Sequence, residues 1–131
     1  MTAVVVDTDV VSYLLKADTR AERYRPLLER RTPLLSFMTV AELYHRAYSR
    51  NWGDSRISRM ESVLRNYVVV PYNYRLCQIW ASVTTQRKQA GLPISCSDAW
   101  IASTALLYHC PLISNNSGDF LGIEGLVVLS A

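Results

Sequence analysis

Five acids stand where short apolar runs end or where the following helices begin. Asp7 closes Val4-Val5-Val6, with Asp9 two residues on; Glu42 follows the run Leu34-Leu35-Ser36-Phe37; Asp98 opens an apolar helical stretch; Asp119 follows Leu112-Ile113. Carboxylates brought together repel strongly unless a cation lies among them. Oxygen donors without histidine suit hard ions, Mg²⁺ or Mn²⁺ as a substitute, that keep part of their water. The chemistry such a site supports is metal-assisted phosphodiester hydrolysis, by one ion or two. A zinc site is disfavoured, because the chain has only His45 and His109 and its three cysteines, Cys77, Cys96 and Cys110, form no CxxC pair. Each acid also has a purely structural use. Asp7 or Asp9 can N-cap a helix, Thr39-x-x-Glu42 and Ser95-x-x-Asp98 read as capping boxes, and Asp119 can hold a turn.

The elements that must position these acids follow from hydrophobic periodicity. Strands are expected at Val4–Val6, Leu34–Phe37, Tyr67–Val70, Leu112–Ile113 and Leu126–Leu129. Helical spacing runs from Val10 to about Lys16 and over residues 19–30, where Pro26 is a discordant residue. It resumes from Thr39, over 55–65, over 73–89 with Gly91 and Pro93 beyond, and over 97–108. Asn51–Asp54 reads as a turn and Asn115–Gly118 as a polar loop. Strands alternating with helices imply an α/β fold: a mostly parallel central sheet of about five strands, with helices on both faces. In such sheets ligand sites lie outside the carboxyl ends of the strands. Asp7, Glu42, Asp98 and Asp119 all fall at that end.

Composition sets bounds on this reading. The chain has 131 residues, half of them apolar and 19% charged, so one domain over 1–131 is expected and a disordered chain is excluded. No apolar run reaches the length of a membrane span, the N-terminus lacks a signal-peptide pattern, and the cysteine usage suits a reducing compartment; a cytoplasmic location is expected. The net charge of +3 is unevenly divided. All 14 basic residues lie at or before Lys88, against 8 acids there, while the last 43 residues carry only Asp98, Asp119 and Glu124. This asymmetry suits a polyanionic partner.

Four segments resemble the PIN domain of the VapC toxin type. They are Val4 to Lys16, Ser36 to Leu43, Gly91 to Ile94 with Asp98 to Ala105, and Leu112 to Phe120 followed by Gly125-Leu126. The resemblance spans nearly the whole chain. It implies a three-layer α/β/α fold and Mg²⁺-dependent endoribonuclease activity. It further implies a homodimeric toxin of a type II toxin–antitoxin system, paired with a small VapB-like antitoxin. By motif position Asp7, Glu42 and Asp98 are catalytic and metal-binding, Asp119 is the fourth acid, and Asn116 is its polar neighbour. Two positions depart from the pattern. Asp9 stands where Asn is common and adds a charge that could join the metal shell. Ser114 replaces Thr and keeps the hydroxyl.

Trp52, in a turn among Arg50, Arg56 and Arg59, is the candidate RNA contact. Trp80 reads as core, and Trp100 as packed beside the site or in a dimer face. Two other readings compete. One is a non-catalytic PIN-like module that binds RNA or protein, its acids serving as caps. The other is a haloacid-dehalogenase-type phosphatase, suggested by Asp7-Thr8-Asp9. That motif wants Thr where Val11 stands, and a later lysine where none exists beyond Lys88.

Overall fold

A computed structural model describes residues 2–131. Its five strands are β1 (Thr2–Val6), β2 (Arg31–Ser36), β3 (Val68–Val70), β4 (Leu112–Ile113) and β5 (Val128–Leu129). They form one sheet in the order β3-β2-β1-β4-β5, and every pairing is parallel. The helices are α1 (Thr8–Leu15), α2 (Ala21–Leu28), α3 (Phe37–Ser49), α4 (Asp54–Leu64), α5 (Tyr74–Gln89) and α6 (Cys96–Leu107), with a 3-10 turn at Ser117–Phe120.

The apolar residues of β1 explain the layering. Successive side chains of a strand point to opposite faces, and a strand covered on both sides needs apolar residues throughout. Val4 and Val6 enter a core with Val10, Val11, Tyr24, Leu43 and Met60, from α1 to α4. Val5 enters the opposite core with Val83, Ile101, Ala102, Ala105 and Phe120, from α5, α6 and the 3-10 turn. The three-layer α/β/α architecture is thus present as expected.

Several boundaries differ from the sequence expectation. β2 begins at Arg31, before Pro33, because on that stretch β1 is its only neighbour and the missing proline N–H costs no bond toward β3. β2 also stops at Ser36 rather than Phe37. The Ser36 hydroxyl accepts from the Met38 N–H, so Ser36 caps α3 in place of Thr39. The last strand contracts to Val128–Leu129, and α2 is shorter than 19–30, with Pro26 inside it. The polar loop at 115–118 tightens into the 3-10 turn. Four helices end on a non-glycine residue in the left-handed region, Ala17, Arg30, Asn51 and His109, which makes each stop abrupt.

Candidate active site

β1 is central, with β2 on one side and β4 on the other, and the connections after β1 and β4 run to opposite sides, to β2 and β5, so the strand order reverses there. Asp7 sits at that point. It N-caps α1 in extended backbone conformation, its Oδ1 accepting from the Thr8 N–H at 2.8 Å. Its Oδ2 accepts from the Ser114 hydroxyl, just beyond β4, at 2.7 Å. Asp7 is only 6% exposed, and it is the one buried acid among the described residues. Burial pushes its carboxyl up to about 6. The two hydrogen bonds oppose that shift, and the charges of Asp98 and Asp9 add to it.

The other acids arrive on separate segments. Glu42 lies in the second turn of α3, and its Oε1 accepts from the Thr8 hydroxyl at 2.8 Å. Thr8 also contacts the Thr39 hydroxyl at 3.0 Å, so a threonine pair ties α1 to α3 beside the acids. Because Ser36 is the cap, Glu42 does not serve the capping box read from Thr39-x-x-Glu42. Asp98 stands in the first turn of α6, where its backbone N–H donates to Ser95 Oγ; here the predicted cap holds. The Asp98 carboxyl is raised, by burial first and then by the charges of Asp119, Glu42 and Asp9, against the Ser95 hydrogen bond. Asp119 is exposed in the 3-10 turn. The acids are therefore within electrostatic reach of one another.

Asp9 is engaged on both oxygens. Oδ1 pairs with Arg46 at 2.9 Å, and Oδ2 accepts from Asn116 Nδ2 at 2.9 Å. Arg46 also donates to Ser12 Oγ at 2.6 Å. Asn115 accepts from the Tyr24 hydroxyl at 2.7 Å and donates to the Tyr13 hydroxyl at 3.1 Å, which pins the loop after β4 onto α1 and α2. The Asn116 N–H in turn donates to Ser114 Oγ at 3.0 Å.

Residues 4–124 match the PIN domain. The chain belongs to the PIN-domain family. Over 124 residues it is 31% identical to Ribonuclease VapC1 of Haemophilus influenzae (strain R2866), covering 93% of this chain and 92% of that one. The structure of VapBC-1 from nontypeable Haemophilus influenzae superposes with a TM-score of 0.84 at 29% identity, over 98% of each chain. VapBC2 from Rickettsia felis, bound to a DNA fragment from their promoter, gives 0.86 at 21% identity over 98% of each chain; that likeness is one of fold. The phosphatase reading of Asp7-Thr8-Asp9 is thereby set aside.

The donor set of this PIN domain is carboxylate oxygen throughout, which fits a hard divalent cation. Among the described residues no three such side chains lie close enough to hold an ion as they stand.

The expected RNA contacts lie elsewhere. The Arg56 guanidinium stacks over the Trp52 ring at 3.9 Å, and the Trp52 ring packs against the α1–α4 core. Trp52, Arg56 and Arg59 line a cleft of about 600 Å³ with Leu15 and Lys16. That cleft is at the end of α1 away from Asp7, about 12 Å along the helix axis. Arg50 is exposed just beyond α3. Trp80 is half-buried rather than core. It stacks on Trp100 at 5.0 Å between ring centroids, and Trp100 meets Phe37 edge-on at 5.3 Å. Phe37 opens α3 and Trp100 lies near the start of α6, so the ladder stands at the same end of the sheet as the acids.

Sequence reasoning missed Thr8, Arg46, Asn115 and Arg87 as supports. Arg46 left a signal, being four residues past Glu42 and so on the same helix face. Arg87 left none.

Proposed function

We propose that this chain is a metal-dependent endoribonuclease, the toxin of a VapBC-type toxin–antitoxin pair, acting as a single PIN domain over residues 1–131. What supports the reading is the placement of Asp7, Glu42, Asp98 and Asp119, on four separate segments, at the carboxyl edge of one parallel sheet and within electrostatic reach of one another. The identity with a ribonuclease VapC1 supports the substrate class, and the VapBC complexes of similar fold support a small antitoxin as partner. A homodimer and a cytoplasmic site of action complete the proposal. No helix among the described residues is long and apolar enough to cross a membrane.

Asp7, Glu42, Asp98 and Asp119 would hold Mg²⁺, with Mn²⁺ as a substitute. When bound, the ion supplies Lewis-acid chemistry, acidifying a water and neutralising charge on the scissile phosphate. The chain's own residues do the positioning. The Thr8 N–H and the Ser114 hydroxyl fix the plane of the Asp7 carboxylate, and the Thr8 hydroxyl orients Glu42. Asn116 and Arg46 hold Asp9 aside, so its charge is matched within the protein. Asp9 is accordingly a support and not a ligand. The lysines and arginines before Lys88 attract the RNA backbone.

The test compares purified wild type and Asp98→Asn on a mixed RNA substrate in Mg²⁺, with circular dichroism to check folding. The Asn variant is expected to fold and to lose cleavage. Wild-type cleavage by a folded Asp98→Asn protein would refute the assignment.

A further inference from the structure

Arg87 is the one buried basic residue among the described residues, 7% exposed in the last turn of α5. Among the described residues it has no carboxylate partner. Its Nε donates to the Leu92 carbonyl at 2.5 Å, and its Nη1 donates to the carbonyls of Asp119 at 3.1 Å and Leu121 at 2.8 Å. A buried guanidinium met only by backbone carbonyls is a costly way to fill space. An apolar side chain of the same volume would pack there without desolvating a charge. The fork geometry is what an apolar residue lacks: several donors in one plane, able to bind separate acceptors at once.

The carbonyls it holds belong to two different segments. Leu92 lies in the turn that leads through Pro93 and Ile94 to Ser95, the N-cap of α6, and so to Asp98. Asp119 and Leu121 lie at the end of the 3-10 turn. That turn is otherwise held by its own N–H bonds, from Asp119 to the Asn116 carbonyl and from Leu121 to the Gly118 carbonyl, and by buried Phe120. Those contacts fix the shape of the turn. The Arg87 fork ties that turn to the approach to α6.

We propose that Arg87 is a positioning residue that sets the separation of the Asp98 and Asp119 carboxylates by clamping the backbone of the two segments that carry them. The proposal rests on both acids belonging to one cation site. Arg87 touches neither substrate nor carboxylate; it acts through the main chain. Groups that hydrogen-bond a ligand directly govern cation affinity by about tenfold to a hundredfold, and a clamp one step further out is placed at the low end of that range.

The experiment titrates Mn²⁺ alone into the full chain, without RNA, by calorimetry, for wild type, Arg87→Lys, Asp119→Asn and the double variant. Arg87→Lys keeps the charge and loses the fork. It is expected to fold and to bind Mn²⁺ about tenfold more weakly. Asp119→Asn is expected to weaken binding by a similar factor. The double variant is expected to bind no worse than Asp119→Asn, since a clamp that acts through Asp119 has nothing left to place. Arg87→Met, which fills the space without charge, is the second variant should the lysine misfold, and is expected to lose at least as much affinity. Unchanged Mn²⁺ affinity in a folded Arg87 variant, beside an impaired Asp119→Asn, overturns the clamp alone. Losses that multiply in the double variant also overturn it, because they mean Arg87 acts independently of Asp119. Unchanged affinity in Asp119→Asn overturns that acid's place in the site, and the clamp with it.

Discussion

Asp7→Asn should make the cation-free protein more stable while removing its activity. Asp7 is buried, and its carboxyl titrates near 6 in the fold against an ordinary value of 3.8. Between those values the folded chain holds a proton that the unfolded chain has released. Stability therefore falls as pH rises through that window, and the full cost is in place above about pH 7. A shift of about two units corresponds to about 3 kcal/mol. Asparagine cannot ionise, caps a helix as well as aspartate does, and offers Ser114 an amide partner. The gain should be about 2–3 kcal/mol at pH 8, or roughly 6–12 °C in Tm for a chain of this size, and near zero at pH 4. Thermal melts in a chelator at both pH values measure it. Adding Mn²⁺ at pH 8 should then stabilise the wild type by about 2.7 kcal/mol at a hundredfold excess over Kd, raising its Tm, and leave the variant unmoved. A variant less stable than wild type at pH 8, or equally stabilised at both pH values, would refute the argument that the ionised Asp7 carries a desolvation cost.

Two further outcomes test the supports around that carboxyl. Ser114→Ala removes a hydrogen bond that lowers the Asp7 pKa. It should cost about 1–3 kcal/mol above pH 7 and move the acidic limb of the cleavage profile to higher pH, as read from rates between pH 5 and 8. Arg46→Ala should tighten Mn²⁺ binding, read by calorimetry, more in wild type than in an Asp9→Asn background, because only in the former does it expose an uncompensated negative charge beside the acids. The partly exposed pair itself contributes at most about 1 kcal/mol, so Tm should change little in either.

The fold was legible because β1, β2 and β4 carry apolar side chains for two cores, a pattern that survives in a single sequence. The ends of elements were less so. Ser36 and Thr39 are both acceptable caps for the same helix and both are fully buried, so only their partners separate them: the Ser36 hydroxyl accepts from the Met38 N–H, while the Thr39 hydroxyl is taken by Thr8. The positions of the acids were readable from topology, since whatever follows a parallel strand lies at one edge. Their supports were not. Arg87 looks like an ordinary charged residue at the end of an exposed helix, and its role depends on carbonyls more than thirty residues away. Trp80 had the spacing of a core residue, but its partner Trp100 is itself only half-buried, so the stack sits at the rim.

The alternatives posed by the sequence, caps or catalytic acids, turn out not to exclude each other. Asp7 caps α1 with one oxygen while its other oxygen is held by Ser114. Asp98 and Asp119 lie in the first turns of α6 and the 3-10 turn. The start of a helix is where a carboxylate is both fixed by N–H donors and favoured by the dipole. Placing acids at several helix starts along one sheet edge therefore gathers negative charge with part of its repulsion already offset. Glu42 is the exception. It lies a turn further into α3, beyond the free N–H groups, and depends on the Thr8 hydroxyl instead. Thr8 is itself the first residue of the helix that Asp7 caps. One short segment, Asp7-Thr8-Asp9, thus sets the first acid, orients the second and, through Asn116, ties down the loop that leads to the fourth.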